Sequence, residues 1–252
     1  MKMSTRRKVF NKIYQHLFDA FGPQKWWPAE TKFEVIVGTI LTQNTNWGNV
    51  ERAIKNLKSE NLLTPRSLRN IPVKTLARHI KPAGYFNVKA KRLKNFMHFF
   101  FKEYGGNLKK MAAEDAERLR TKLLSVNGIG PETADSILLY ALDKPVFVVD
   151  AYTKRIFYRH GLLDRDADYA TVQSAFLGAL EVDHKLYNEY HALIVKLAKD
   201  FCKTHPRCEE CPLQAVHYSL KHKCSHCHRV LISQEKQRLI NKTYLCLSCQ
   251  SV

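Results

Sequence analysis

The chain has 252 residues, 45% of them hydrophobic, and its 41 Lys and Arg against 23 Asp and Glu give a formal net charge of +18. This composition indicates a soluble globular protein with a buried core, in one large or two smaller domains. It excludes a membrane-spanning protein, because no run approaches the roughly 18 consecutive apolar residues that a spanning helix needs. The excess of basic residues favours a polyanionic partner, nucleic acid before an anionic membrane surface.

The N-terminus lacks the apolar stretch of a secretory signal, so we expect a cytoplasmic protein associated with the nucleoid. Residues 1–18 carry several bases and no acid, a composition also found in transit peptides. We favour a first amphipathic helix instead, because Val9, Phe10, Ile13 and Leu17 recur at helical spacing.

From residue 8 to about residue 199 the pattern is helical, since apolar residues recur three and four positions apart and β-branched alternation is scarce. Gly and Pro residues mark the breaks between elements. The pattern predicts an all-α body with helices over about 5–20, 31–42, 47–58, 65–70, 74–80, 87–104, 114–125, 131–142, 149–160, 168–181 and 185–203.

After Pro212 the composition changes to Cys, Lys and Ser, with short β-prone pieces at Arg229–Ile232 and Lys242–Leu245. A piece of roughly 30 residues is too short to bury a core alone, which indicates a small module held by metal. The predicted domains are a body at 1–200, a cysteine loop at 201–218 and a zinc-ribbon-like module at 219–252.

Residues 123–134 read Leu-Leu-Ser-Val-Asn-Gly-Ile-Gly-Pro-Glu-Thr-Ala, the pattern of one helix ending, a glycine hairpin and a second helix beginning. Gly128 and Gly130 allow a tight turn with exposed amides, and the helix that follows adds the positive end of its dipole. We therefore predict that Gly128, Gly130 and Thr133 contact a DNA phosphate. A plain helix-helix turn would explain an isolated Gly-x-Gly equally well.

An apolar run, Val146–Val149, ends twenty residues after Gly130 at Asp150, which opens a new helix. Alone, Asp150 would be explained as an N-cap. Together with the hairpin, it resembles the endonuclease III superfamily of helix-hairpin-helix DNA glycosylases, whose motif is this hairpin followed by an essential Asp. The resemblance implies a two-lobed helical fold with its active cleft between the lobes, and Asp150 as the catalytic residue.

Members of that superfamily that also cleave the strand have a Lys two residues after the second hairpin glycine, and its amine forms a Schiff base with the sugar. Glu132 stands at that position here. A carboxylate cannot form an imine, so we expect a monofunctional enzyme that uses water. Asp150 would stabilise positive charge on the sugar and orient or deprotonate the water. Glu132 would position water or only cap its helix.

The double Trp at Trp26 and Trp27, followed by Pro28, precedes the run Lys32–Trp47, which contains Thr-Gln-Asn-Thr. With Gly84–Leu93, these segments resemble the 3-methyladenine DNA glycosylase branch of the superfamily, over about residues 8–200. The resemblance implies hydrolysis of the N-glycosidic bond of an alkylated purine.

A purine methylated on a ring nitrogen is cationic, so it stacks well on aromatic rings, and cation-π attraction adds about 0.5–2 kcal/mol. We predict Trp26 and Trp47 as walls of the base pocket, with Trp27 beside them. The alternative is that each of these tryptophans only packs in the hydrophobic core.

The predicted partner is double-stranded DNA with a damaged base, bound by a monomer, as the resemblance implies. By the same resemblance, Gln43 fills the space that the flipped base leaves. The predicted phosphate contacts are Lys89, Lys91, Arg92 and Lys154.

All seven cysteines lie between Cys202 and Cys249. Such clustering indicates metal binding rather than a disulfide framework. Five residues separate Cys202 from Cys208, and two separate Cys208 from Cys211. This loop resembles the iron-sulfur loop of endonuclease III relatives, with His217 where a fourth Cys is expected, and predicts a 4Fe-4S cluster. A zinc site or a decayed loop is the alternative.

A second set consists of two pairs of cysteines, and each pair encloses two residues. The pairs are separated by 18 residues, a spacing typical of a zinc ribbon. We predict one zinc ion bound by Cys224, Cys227, Cys246 and Cys249.

Three other functions remain open on the sequence. A uracil or thymine mismatch glycosylase would share the scaffold but need hydrogen bonds to a neutral base. A DNA-binding module without catalysis would use only the hairpin and the zinc ribbon. A bifunctional glycosylase-lyase would need an amine near the sugar.

Overall fold

The computed structural model describes residues 3–216 and, beyond them, 220–223, 230–232, 238–240 and 243–245. The described chain is helical up to its C-terminal part, as the sequence pattern predicts. The α-helices are α1 (Met3–Phe21), α2 (Lys32–Thr42), α3 (Trp47–Ser59), α4 (Pro65–Asn70), α5 (Val73–His79), α6 (Phe86–Tyr104), α7 (Leu108–Ala113), α8 (Ala116–Leu124), α9 (Pro131–Ser136), α10 (Ala151–Arg159), α11 (Tyr169–Leu177) and α12 (His184–Asp200).

The sequence pattern missed α7 and treated α9 as one longer helix. Helix α7 has six residues with only Met111 buried, so it offers no apolar repeat, and its N-cap Asn107 is the main sequence signal. After α9 the chain continues through a buried π-helical turn, Ile137–Ala141. Such turns insert a residue into an α-helix and often occur at functional sites.

Side-chain caps fix where most helices begin. In each case a Thr, Asn or Asp side chain accepts a hydrogen bond from a backbone amide of the first turn, which stabilises a helix by about 1 kcal/mol. These caps are Thr31, Asn46, Thr64, Asn107, Asp115, Asp150, Asp168 and Asp183.

The chain divides into two compact units. The central unit, Trp27–Val146, contains α2 to α9. Helix α2 is buried on nearly all sides from Phe33 to Leu41, because α3, α6 and the π-helical turn pack around it. An apolar helix of this kind forms the core of a helical domain rather than its surface.

The terminal unit combines Met1–Trp26 with Phe147–Val252. Within it, α12 packs on both α1 and α10. Its core is aromatic: the rings of Phe147 and Phe176 stack with centroids 3.9 Å apart, and Phe10 and Phe157 pack against Phe176. The Tyr190 hydroxyl donates a hydrogen bond to the backbone oxygen of Phe10 (2.8 Å).

The C-terminal part forms short antiparallel β-hairpins, with β1 (Leu220–Lys223) paired to β2 (Val230–Ile232) and β3 (Arg238–Ile240) paired to β4 (Thr243–Leu245). Strands β2 and β4 coincide with the β-prone pieces of the sequence. The predicted domain boundaries at 200 and 218 stay predictions. None of the helices described here is long and apolar enough to cross a bilayer.

A buried ion pair supports the helices around the glycine hairpin. Asp135 on α9 is fully buried, and its carboxylate accepts from Nε (2.6 Å) and Nη2 (3.1 Å) of Arg120 on α8. Arg118 on the same helix pairs with Glu114 but is largely exposed.

We expect Arg120→Met to lower the free energy of unfolding by about 2–3 kcal/mol, because it removes the cation beside a buried carboxylate. Arg118→Met is the matched control and should cost less than about 1 kcal/mol. Urea unfolding of both variants measures the difference. Equal small losses would show that the buried pair contributes little.

Candidate functional site

The glycine hairpin connects α8 to α9 in the central unit. Gly128 has φ +93°, a backbone conformation that L side chains rarely adopt, and Gly130 is the N-cap of α9 with φ −93°. A Cβ built on Gly128 would lie 2.3 Å from Cγ of Arg92, whereas one built on Gly130 would meet nothing within 4 Å. Glycine is therefore required at the first position by both backbone and packing, and at the second by neither.

Gln43, at the C-terminal end of α2, is bonded to the hairpin. Its Nε2 donates to the backbone oxygen of Gly128 (3.0 Å) and to Oγ1 of Thr133 (2.9 Å), while its Oε1 accepts from Nη1 of Arg92 on α6. Asn95, also on α6, donates to the backbone oxygen of Asn127 (3.0 Å). We call these bonds the hairpin clamp. They bring together four predicted DNA-contact residues: Gln43, Gly128, Thr133 and Arg92.

Within this clamp, the side chain of Thr133 is 6% exposed, and its hydroxyl accepts from Gln43. This side chain therefore holds the hairpin rather than facing solvent. No local sequence pattern indicates this contact between Gln43 and the hairpin.

The expectation that Lys89 contacts DNA phosphate is wrong. Its side chain is 1% exposed, and its Nζ donates to the backbone oxygens of Leu41 (2.8 Å) and Ala83 (2.7 Å). Burial, with a smaller contribution from the charge of Arg92, lowers the pKa of Lys89 to about 8. The lysine thus satisfies backbone carbonyls at the end of α2.

The other two lysines predicted to contact phosphate differ in whether the amine is already hydrogen-bonded within the protein. Lys91 is exposed on α6, whereas Nζ of Lys154 on α10 donates to the backbone oxygen of Ala167 (3.0 Å).

The lowered pKa of Lys89 makes its contribution to stability depend on pH. Between about pH 8 and the ordinary pKa of 10.5, the unfolded chain binds more protons than the folded one, so stability rises with pH. We expect wild type to gain stability relative to Lys89→Met across this window. Urea unfolding at pH 7, 8, 9 and 10 measures it. A difference between wild type and Lys89→Met that stays constant across these pH values would contradict the assignment.

The two glycines of the hairpin make a matched pair. Gly128→Ala should destabilise the protein by at least about 1–2 kcal/mol, because it adds the strain of a positive φ to a clash with Arg92. Gly130→Ala should stay within about 0.5 kcal/mol of wild type. Thermal unfolding measures both, and similar melting temperatures for the two variants would contradict the conclusion that glycine is required only at position 128.

Asp150 lies in the terminal unit as the N-cap of α10. Its Oδ1 accepts from the backbone amide (2.7 Å) and the hydroxyl (2.8 Å) of Thr153. Its Oδ2 lies 3.5 Å from Nε2 of His191 on α12, and the two side chains are 13% and 7% exposed. Burial alone would raise the pKa of Asp150, but the nearby charge of His191 and the hydrogen bonds from Thr153 hold it below the ordinary value. The carboxylate is therefore ionised at neutral pH.

No sequence motif singles out His191. The available signal is a histidine on the apolar face of α12, between the buried Tyr190 and Ala192. That signal alone does not separate a core histidine from a functional one. Glu132, the other predicted catalytic residue, is exposed in the first turn of α9.

Two of the three predicted pocket tryptophans pack together in the central unit. The ring of Trp27 meets that of Trp47 edge-on (centroids 5.0 Å apart, 86° between planes) and lies 5.4 Å from that of Tyr140. We call these three side chains the aromatic cluster. Tyr140 lies in the π-helical turn, and no sequence motif indicates it as a member of the cluster. Trp26 is half-buried and belongs to the terminal unit.

Gly38 on α2 lies against the cluster, and a Cβ there would be in van der Waals contact with the Trp27 ring, 3.4 Å from its Cζ2. Trp47 also borders a cavity of about 490 Å³ in the central unit. Its lining is Pro28, Ala29, Glu30, Glu34, Gly38, Trp47, Glu51, Ile54, Lys55 and Lys58.

The cysteine loop follows α12. Two arginines of α10 hold its first residue: Nε of Arg155 donates to the backbone oxygen of Cys202 (2.9 Å), and Nη1 of Arg159 to its Sγ (3.4 Å). Cys202, Cys208 and Cys211 are not joined in disulfides, and thiols are suitable donors for iron or zinc. Among the described residues, however, no three His, Cys, Asp or Glu side chains form a group that could hold a metal. His217, Cys224, Cys227, Cys246 and Cys249 lie outside those residues.

The fold and the hairpin define a class that comparison with known proteins confirms. Residues 37–181 match the model of the HhH-GPD superfamily base excision DNA repair proteins. The chain belongs to this superfamily, and its class is that of the DNA glycosylases.

A protein of Methanocaldococcus jannaschii provisionally described as a DNA repair glycosylase is 53% identical over 209 residues, which cover 82% of this chain and 94% of that protein. Endonuclease III of Thermotoga maritima is 30% identical and covers 72% of this chain and 80% of its own. The crystal structure of a 3-methyladenine DNA glycosylase of H. pylori, bound to 1,N6-ethenoadenine, has a TM-score of 0.66 and 29% identity, and covers 79% of this chain and 98% of its own.

Proposed function

We propose that this DNA glycosylase hydrolyses the N-glycosidic bond of alkylated purines in double-stranded DNA and leaves an abasic site. The observation that carries the substrate class is the aromatic cluster beside the cavity at Trp47. Similarity to the H. pylori 3-methyladenine DNA glycosylase supports the same class.

Aromatic recognition suits this substrate better than a normal base. An alkylated purine carries positive charge, so it gains about 0.5–2 kcal/mol from cation-π attraction over a tryptophan face. The charge also makes it a good leaving group, so the reaction needs no dedicated general acid. In the proposal, Trp47 contacts the base and Trp27 holds the Trp47 ring in place, while Trp26 is a further pocket residue.

The proposed catalytic residue is Asp150, whose ionised carboxylate stabilises positive charge at the sugar as the base leaves. The lowered pKa of Asp150 supports this role, because only the ionised form can do so or accept a proton from the attacking water. Glu132, in the first turn of α9, is proposed to position water.

The proposal includes no strand cleavage. Lyases of the superfamily use a lysine amine at the position of Glu132, and a carboxylate cannot replace it. The pKa values of Lys89 and Lys94 are lowered, but the amines of both donate to backbone oxygens. Neither amine is presented as a nucleophile.

DNA binding is proposed to use the hairpin and the net charge of +18. Gly128, Gly130 and Arg92 would contact one phosphate, with Lys91 and Lys154 adding charge. To fill the space left by the base, Gln43 must first release its bonds to Gly128 and Thr133, each of which contributes about 1 kcal/mol.

We also propose two structural metal sites. A 4Fe-4S cluster would be held by Cys202, Cys208 and Cys211 with His217, and the position of Cys202 between Arg155 and Arg159 supports an ordered loop there. A zinc ion would be held by Cys224, Cys227, Cys246 and Cys249.

The test is base release from duplexes that carry 3-methyladenine, 7-methylguanine or uracil, with strand breaks scored before and after alkali. We expect release of methylated purine, breaks only after alkali, and at least a hundredfold slower release by Asp150→Asn. The variant keeps an oxygen that can cap α10, so its melting temperature should stay close to wild type.

Other results of the same assay would indicate a mismatch glycosylase, a lyase or a binding module. Release of uracil alone would favour a mismatch glycosylase, and breaks without alkali together with borohydride trapping would reveal a lyase. DNA binding without release of any base would leave a binding module. Asp168→Asn, which alters the N-cap of α11, is the control for substitution at a cap.

A further inference from the structure

The two carboxylate oxygens of Asp150 have different partners. Oδ1 accepts both bonds from Thr153, which are the bonds that cap α10. An N-cap needs only one oxygen. Oδ2 is therefore the oxygen that remains for the substrate and the attacking water.

His191 faces that second oxygen. It lies on α12, which packs against α10, and its Nε2 is 3.5 Å from Oδ2 of Asp150. Burying an imidazole costs free energy unless it has a polar partner, and an apolar side chain would fill the same space on α12 without that cost. Packing alone does not explain a histidine at this place.

We propose that His191 is a positioning residue for Asp150. His191 holds Oδ2 from the side of α12, while Thr153 holds Oδ1 from α10. This inference rests on the proposed role of Asp150. Each carboxylate oxygen then has a partner on a different helix, which restricts the orientation of the carboxylate before substrate arrives. Displacement of a reacting group by about 1 Å can slow a reaction about a hundredfold.

The contact has a second consequence. The charge of His191 is among the causes that keep the pKa of Asp150 low despite burial, which leaves the carboxylate ionised. Orientation and ionisation of the same oxygen thus depend on one side chain.

The experiment compares His191→Leu, which keeps the packing, with His191→Gln, whose amide nitrogen can reach the position of Nε2. Single-turnover release of 3-methyladenine gives the chemical rate, and binding to a duplex with a tetrahydrofuran abasic analogue gives the affinity. We expect the Leu variant to be 10- to 100-fold slower at unchanged affinity, with the Gln variant within about fivefold of wild type.

His184→Leu, at the first position of α12, is the matched control and should behave as wild type. If wild type releases the base and His191→Leu is equally fast, the inference fails while the proposed function stands. A Gln variant as slow as the Leu variant would reduce His191 to a packing residue.

A thermal double-mutant cycle tests the contact without any activity. Asp150→Ala and His191→Leu each remove the contact, so the double variant should lower the melting temperature by less than the sum of the two single losses. Additive losses would overturn the positioning role even if wild type releases none of the bases tested. Absence of release by wild type would count against the proposed function alone.

Discussion

The hydrogen bonds of Gln43 join α2 to two segments of the central unit that are distant from it in sequence, the hairpin with the start of α9 and helix α6. One primary amide reaches the glycine hairpin, the first turn of α9 and, through Arg92, helix α6. Val126 and Ile129 bury the apolar side of the hairpin, and these polar contacts, together with the glycine at 128, add to what holds its shape. A site that docks a phosphate needs such rigidity, because a mobile turn would lose affinity through the entropy of ordering it.

Asp150 illustrates how one residue can serve both fold and chemistry. Its Oδ1 begins α10, and its Oδ2 faces His191. The cap bonds favour the charged form, and so does the histidine, which offsets the cost of burial. The local fold therefore prepares the protonation state that the proposed reaction requires.

The sequence predicts most helices because their apolar faces repeat and their N-caps are Thr, Asn or Asp. It also predicts the order of hairpin and Asp150, since both depend on local backbone chemistry. Contacts between distant residues are different. Nothing near Lys89 in the chain shows that its amine lies beneath the end of α2, and no local pattern pairs His191 with Asp150. The same holds for Tyr140, whose place beside Trp27 depends on a π-helical turn that has no clear sequence signal.

The terminal unit is assembled from both ends of the chain, and this has a consequence for biosynthesis. The contact between Phe10 and Tyr190 spans 180 residues, so α1 leaves the ribosome long before its partner helix exists. The central unit is continuous and can fold first, whereas α1 must wait with its apolar face uncovered. Asp150 and His191 come together only after α12 has been synthesised. A nascent chain therefore has the hairpin before the carboxylate of Asp150 has met His191, and a prematurely terminated chain would keep the first without the second.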